Sequence, residues 1–150
     1  MPAPASPSRP APIDPRGPRW NQAVLATGLV TGFVVDWWYV AVVFAFVLAL
    51  GAAFGPRYGP VLRFYAEIVR PRLGPPRELE DPRPPRFAAT LGVVFLTVGS
   101  IAFLAGASVL GWAFVLLVAT LAGLSAVTGL CLGCQVWLFA ARRRNVELVA

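Results

Sequence analysis

Every proline and every basic residue in this chain is kept out of two long apolar stretches. The 15 prolines fall within residues 2–18 and 56–85, and the 13 basic residues, all arginine, within 9–19, 57–86 and 142–144. The stretches between them, about 21–55 and 87–141, carry a single charge, Asp36. Buried charge is costly in lipid, and proline removes a backbone donor that lipid cannot replace. Such sorting divides a chain into membrane and non-membrane parts. Composition agrees: 57% of residues are hydrophobic, 13% are charged, and the mean hydropathy is +0.69. A soluble domain carries roughly 25% charged residues, enough polar surface to cover one core. Here lipid must cover much of the apolar surface.

A bilayer core of about 30 Å needs roughly 20 helical residues. Two continuous helices of about 35 and 50 residues would measure about 52 and 75 Å, too long for one bilayer. The expected fold is therefore an all-α membrane protein of four transmembrane helices arranged as two tandem hairpins. The helices are expected at about 20–35, 37–55, 87–105 and 110–140. Asp36 marks the first turn, beside an interfacial aromatic cluster of Trp37, Trp38 and Tyr39. The small residues Gly106, Ala107 and Ser108 mark the second, with Trp112 at the outer end of the fourth helix.

The rest of the chain divides as follows. Residues 1–13 are rich in Pro, Ala and Ser and are expected to be a disordered tail, ahead of a membrane domain over 14–150. The first apolar stretch runs into Asp36-Trp37-Trp38, a poor cleavage region, so it reads as a retained helix and not a signal peptide. Pro60 to Val69 has helical apolar spacing at Val61, Leu62, Tyr65, Ile68 and Val69, with Arg63, Glu67 and Arg70 polar. It reads as an amphipathic helix in the cytosolic interface, followed by a Pro- and Arg-rich loop, so that helix and loop together span about 60–86. The N-terminal tail, the central loop and Arg142-Arg143-Arg144 bear the arginines, and the hairpin turns bear none. The positive-inside rule then places both termini and the central loop in the cytosol of a bacterial inner membrane. The net charge of +6 is positional, flanking apolar segments where anionic headgroups lie, so nucleic acid is not expected as a partner.

Asp14-Pro15-Arg16-Gly17-Pro18-Arg19-Trp20 recurs 67 residues later as Asp81-Pro82-Arg83-Pro84-Pro85-Arg86-Phe87, each copy ahead of a hairpin. Two copies of one unit, related by a pseudo-two-fold axis along the membrane normal, would follow. The motif could dock a headgroup or partner. The simpler reading is a generic membrane-approach element in which proline stiffens the chain, arginine meets phosphate and the aromatic marks the interface.

The only cysteines, Cys131 and Cys134, form a C-x-x-C in Thr128-Gly129-Leu130-Cys131-Leu132-Gly133-Cys134. On a helix, positions i and i+3 share a face, with Cα atoms about 5–6 Å apart, within disulfide range. The pair lies in the cytosolic half of the fourth helix, and at the surface if that helix breaks at Gly129. A structural disulfide is not expected in a reducing compartment. A transient redox or persulfide role for Cys131 and Cys134 competes with simple packing, since free cysteine is a common hydrophobic filler. Only a break at Gly129 would give Cys131 a helix N-terminus to lower its pKa. With no histidine and two thiols, no metal centre is expected within one chain, and no cofactor is implied. Gly28/Gly32 and Gly129/Gly133 form GxxxG pairs that could dimerise, though packing within the chain is the simpler reading. Asp36 reads as a solvated turn residue and Glu67 as the wet face of the surface helix. Hydrolytic catalysis lacks an evident base.

Together, Ile13 to Gln22, Phe54 to Pro60, Val69 to Pro76, Glu80 to Arg83 and Thr128 to Cys134 make the chain resemble the bacterial membrane family catalogued as domain of unknown function 4395, with Trp20 where that family typically has Phe. The resemblance implies no assigned biochemistry, but a genomic setting near thioredoxin-like and sulfurtransferase proteins. Three functions are expected to compete. One is a thiol protein exchanging electrons or sulfane sulfur with a cytosolic thioredoxin-like or sulfurtransferase partner. Another is a transporter of a sulfur species or soft metal ion, in a homo-oligomer. The third is a membrane subunit without chemistry of its own.

Overall fold

The structure, a computed structural model, describes residues 11–55 and 58–144. Seven α-helices follow one another: α1 (Arg16–Val34), α2 (Tyr39–Phe54), α3 (Pro60–Phe64), α4 (Arg70–Leu73), α5 (Arg83–Leu104), α6 (Ser108–Thr128) and α7 (Leu132–Arg143). A π-helical turn, Tyr65–Val69, joins α3 to α4, so residues 60–73 form one winding segment. No β-strand is present among the described residues. Residues 1–10 of the expected disordered tail lie outside the described residues, as do Pro56 and Arg57. Ile13 exchanges two backbone hydrogen bonds with Glu80, at 2.8 and 2.9 Å.

α5 and α6 are long and apolar enough to cross a membrane, and α2 is a shorter apolar helix. Only 17% and 33% of the most apolar windows of α5 and α6 are buried. A core helix of a soluble protein would bury most of such a window. The buried core is a narrow seam of Leu25, Leu29, Val40, Ala41, Leu48, Leu96, Val115, Val118, Ala119 and Ala122.

The aspartate of each repeat opens a helix. Asp14 Oδ1 accepts the Arg16 N–H at 2.9 Å, and Asp81 Oδ1 accepts the Arg83 N–H at 2.9 Å. The proline after each aspartate sits where the missing donor costs nothing. The last arginine of each repeat reaches the C-terminal end of the other unit. Arg86 donates to the Ala52 and Ala53 carbonyls at the end of α2, its shortest bond being 2.8 Å. Arg19 lies against Gly129 at the end of α6. Those last-turn carbonyls have no partner inside their helix, and a guanidinium there also opposes the helix dipole.

The hairpins interlock. α1 packs chiefly on α6 and α2 on α5, an exchange that a two-fold relation between the units requires. Both turns share one end of the bundle, where Phe33, Trp38, Phe103 and Trp112 meet ring to ring, with centroids 5.0–5.6 Å apart. Asp36 sits exposed in the first turn at φ +52°. Gly28 abuts the Phe44 ring and Gly32 abuts Val40, so this GxxxG seats α2 on α1 within the chain. α5 and α6 share an extensive contact, with Gly99 under Phe114 and the Gly111 carbonyl. The contact of α1 with α2 is small.

One segment differs from the sequence expectation of a helix over about 110–140. α6 stops at Thr128, and Gly129 takes the left-handed conformation at φ +74°. The chain restarts as α7, which turns back onto α5, with Gly133 against Ala88. Glycine adopts the left-handed region at no steric cost, whereas an L side chain there is strained.

Candidate functional site

The break at Gly129 decides where the two cysteines sit. The Gly129 N–H closes the last turn of α6 on the Ser125 carbonyl at 2.9 Å, and the Thr128 hydroxyl accepts the Leu130 N–H at 3.1 Å. Cys131, in extended conformation, is the N-cap of α7. Its Sγ accepts the Cys134 N–H at 3.3 Å, and its carbonyl accepts the Gln135 N–H, the first bond of the new helix. Both cysteines are free and half-buried. The surroundings of the two cysteines differ.

The Cys131 thiol is held well below the usual thiol range. The first cause is a hydrogen bond from the Cys134 side chain, with the Cys134 N–H, the Ser125 hydroxyl and the Gly133 N–H adding to it against the opposing effect of burial. Cys134 is pushed up, because its S–H is donated to Cys131 and because burial and the charges of Cys131 and Glu80 disfavour a second anion. Two interacting thiols lose their protons in sequence, and here the first charge is best accommodated on Cys131.

Cys131 faces a partly open cavity of about 690 Å³ lined by α1, α2, α5 and α6. Its inner walls are apolar, with Leu25, Leu48, Leu91, Phe95, Val118 and Leu121. Its polar side carries Asn21, Gln22, Ser125 and Cys131, and the charged Asp14, Arg63, Glu67, Arg70 and Arg86 line it as well. The 60–73 segment covers it, with Leu62 and Tyr65 packed on Gly17 and the Tyr65 hydroxyl donating to Asp14 Oδ2 at 3.2 Å. Glu67 is engaged by Arg63 at 2.8 Å on this cover. Leu132 and Gly133 also line the chamber, whereas Cys134 does not.

Sequence reasoning singled out both cysteines and missed the chamber, together with Asn21, Gln22 and Ser125. Asn21-Gln22 did carry a signal: two adjacent amides opening an apolar stretch that holds no other amide. Polar groups at such a depth face a cavity or a partner helix. Asp36 lies at the far end from the chamber. Gly129 and Gly133 serve a turn and the α5–α7 contact. Among the described residues, no three His, Cys, Asp or Glu side chains converge as a metal site.

The family model described as Domain of unknown function (DUF4395) matches residues 13–142. No curated protein and no solved structure matches the chain.

Proposed function

We propose, from the premise that the chain belongs to the DUF4395 family, that it is a multi-pass membrane protein whose Cys131–Cys134 pair exchanges electrons or sulfane sulfur with a cytosolic thioredoxin-like or sulfurtransferase partner. The observation that carries this reading is Cys131 at the N-cap of α7, its sulfur receiving the Cys134 N–H while it lines the chamber. Thiolate, not thiol, is the nucleophile, and the site favours the thiolate at Cys131 and the proton at Cys134.

The step balances as follows. Cys131 Sγ attacks one sulfur of a partner disulfide, forming a mixed disulfide and releasing the other partner sulfur as a thiolate. Cys134 gives up its proton and attacks Cys131 Sγ, releasing the second partner thiol. The partner disulfide is reduced by two electrons and the Cys131–Cys134 pair is oxidised by two. With a persulfide partner, Cys131 takes the outer sulfur and the partner thiolate leaves.

Four membrane passages are read from α1, α2, α5 and α6, which at 1.5 Å per residue measure about 28, 24, 33 and 32 Å; the length and apolarity of α5 and α6 support the reading. Both turns and their aromatic rings share one end, and the arginine-bearing segments share the other, which the positive-inside rule assigns to the cytosol. The 60–73 segment and α7 then lie at the cytosolic face, where a soluble partner meets them. The chamber gives one observation in favour of transport of a sulfur species or soft ion, because it supplies room within four helices beside the Cys131 thiol, and thiols suit soft ligands.

The test is trapping. Cys134→Ser leaves Cys131 to form a mixed disulfide that cannot be resolved. In cells acid-quenched and alkylated, this variant is expected to accumulate a reducible adduct with a thioredoxin-like or sulfurtransferase protein, and Cys131→Ser to form none. Equal adduct yields from both single variants would contradict the reading.

A further inference from the structure

We infer that the chamber beside Cys131 binds a membrane-dissolved quinone and that the quinone is the terminal oxidant of the Cys131–Cys134 pair. The inference rests on the thiol-exchange reading and names its second substrate. Run in reverse, the exchange lets a partner dithiol reduce the Cys131–Cys134 disulfide; a pair reduced in this way must pass its two electrons to a second reactant, and the lining of the chamber states what that reactant looks like. Its volume of about 690 Å³ falls within the roughly 300–1,000 Å³ of small-molecule sites. The leucine, valine and phenylalanine walls take an apolar ring, while the charged residues that also line the chamber, Asp14, Arg63, Glu67, Arg70 and Arg86, lie on its cover and at the heads of α1 and α5. A substituted quinone ring is apolar on both faces and carries two carbonyl acceptors at opposite edges. The Asn21 and Gln22 amides are the donors on the chamber wall that such carbonyls need. Access follows from the helix packing. α1 and α2 make only a small contact, centred on Gly28–Phe44 and Gly32–Val40 near their turn, while Leu25 and Leu48 line the chamber. A ligand dissolved in lipid passes between those two helices without crossing water.

The chemistry closes on the residues present. Cys131 Sγ adds to a ring carbon, and the electron pair of the C=C–C=O system moves to the carbonyl oxygen. That oxygen takes a proton from water, Cys134 loses its proton to water, and its sulfur attacks Cys131 Sγ. The carbon–sulfur bond breaks with its electron pair returning to the ring, which takes a second proton from water. The pair becomes a disulfide, having lost two electrons and two protons counted from the dithiol. The quinone becomes a hydroquinone, having gained both.

The experiment uses the full chain, reduced and reconstituted in lipid nanodiscs, with decylubiquinone as probe. Its fully substituted ring keeps thiol addition reversible. The expected result is one equivalent of hydroquinone, read as loss of quinone ultraviolet absorbance, together with a Cys131–Cys134 disulfide seen by mass spectrometry. Asn21→Leu and the chamber-filling Leu121→Trp are each expected to slow this oxidation at least about tenfold, with oxidation by the water-soluble reagent diamide unchanged. Diamide oxidation of the variants shows that the thiols are present and folded within reach of each other. A pair that stays reduced with decylubiquinone, or that is oxidised at the wild-type rate in both chamber variants, overturns the inference. Capture of a thioredoxin-like protein by Cys134→Ser in the same preparation separates the two ideas, because exchange without quinone reduction leaves the thiol reading standing and removes only the quinone.

Discussion

α1 and α5 each begin from an aspartate that caps them and each turn at the same end of the molecule, yet α5 stays packed on α6 while α1 and α2 stand apart over the chamber. The repeat aspartates make the same bond, at 2.9 Å in both units. The closing arginines make the same reach, Arg86 to the end of α2 and Arg19 to the end of α6. What differs is the helix pair between them. Gly99 and Gly111 let α5 and α6 approach until Phe114 and Phe103 cover the missing side chains. In the first unit the bulky Phe44 fills against Gly28, and beyond it the 60–73 segment sets Leu62 and Tyr65 onto Gly17. One copy of the unit became a packed support and the other became the wall and cover of a cavity. Both cysteines sit on the packed copy, and Cys131 faces the open one.

That contrast can be broken by substitution. Gly99→Leu would drive a side chain into Phe114 and the Gly111 carbonyl, 3.2 and 3.3 Å from its first carbon. Overpacking of this kind costs typically about 1–3 kcal/mol, so a clear fall in Tm in detergent is expected. Gln22→Leu adds apolar bulk at the chamber wall, where there is space, and is expected to stay within about 0.5 kcal/mol of wild type. Equal losses from the two substitutions would show that the chamber is as tightly packed as the α5–α6 contact.

The caps offer a smaller and more pointed comparison. Asp81→Ala and Asp14→Ala each remove one helix cap, worth about 1 kcal/mol. Asp14 also receives the Tyr65 hydroxyl, worth about 1 kcal/mol, whereas buried Asp81 also pairs with Arg83 at 3.7 Å, so the two losses differ less in size than in place: only Asp14→Ala is expected to loosen the chamber cover. Tyr65→Phe isolates that share. Hydrogen exchange at residues 60–73 should rise in Asp14→Ala and Tyr65→Phe and stay unchanged in Asp81→Ala. A uniform response of all three would mean that the cover is not held through Asp14.

Much of the helix plan was written in the segregation of arginine and proline. Asp36 and Gly106 both lie at turns, with φ +52° and +81°, and the duplicated Asp-Pro-Arg motif stands at the head of α1 and of α5. What the motif does was less legible. The arginines were read as phosphate anchors, but a sequence does not say which helix end lies across from Arg19 or Arg86. Pairing between units was hidden for a related reason: a helix that is apolar on every side carries no stripe to name its neighbour. Gly129 was visible as a glycine, but only its left-handed conformation stops α6 and turns Cys131 into a cap. The chamber was invisible because a cavity is the sum of side chains from four helices, with Asn21, Gln22 and Ser125 as its sparse polar marks.

The central claim is that Cys131 is the reactive sulfur and Cys134 its proton-holding partner. The direct measurement is the alkylation rate of each cysteine, resolved by mass spectrometry of the full chain in nanodiscs across the pH range 5 to 10. A free thiol is half-ionised near pH 8.5. Because the folded site lowers the Cys131 pKa and raises that of Cys134, the Cys131 rate should reach half of its plateau well below that pH. At pH 7 it should exceed the Cys134 rate by at least about tenfold, the ratio that one unit of separation in pKa produces. Cys134 reacting first, or both reacting together with an ordinary thiol profile, would contradict the account.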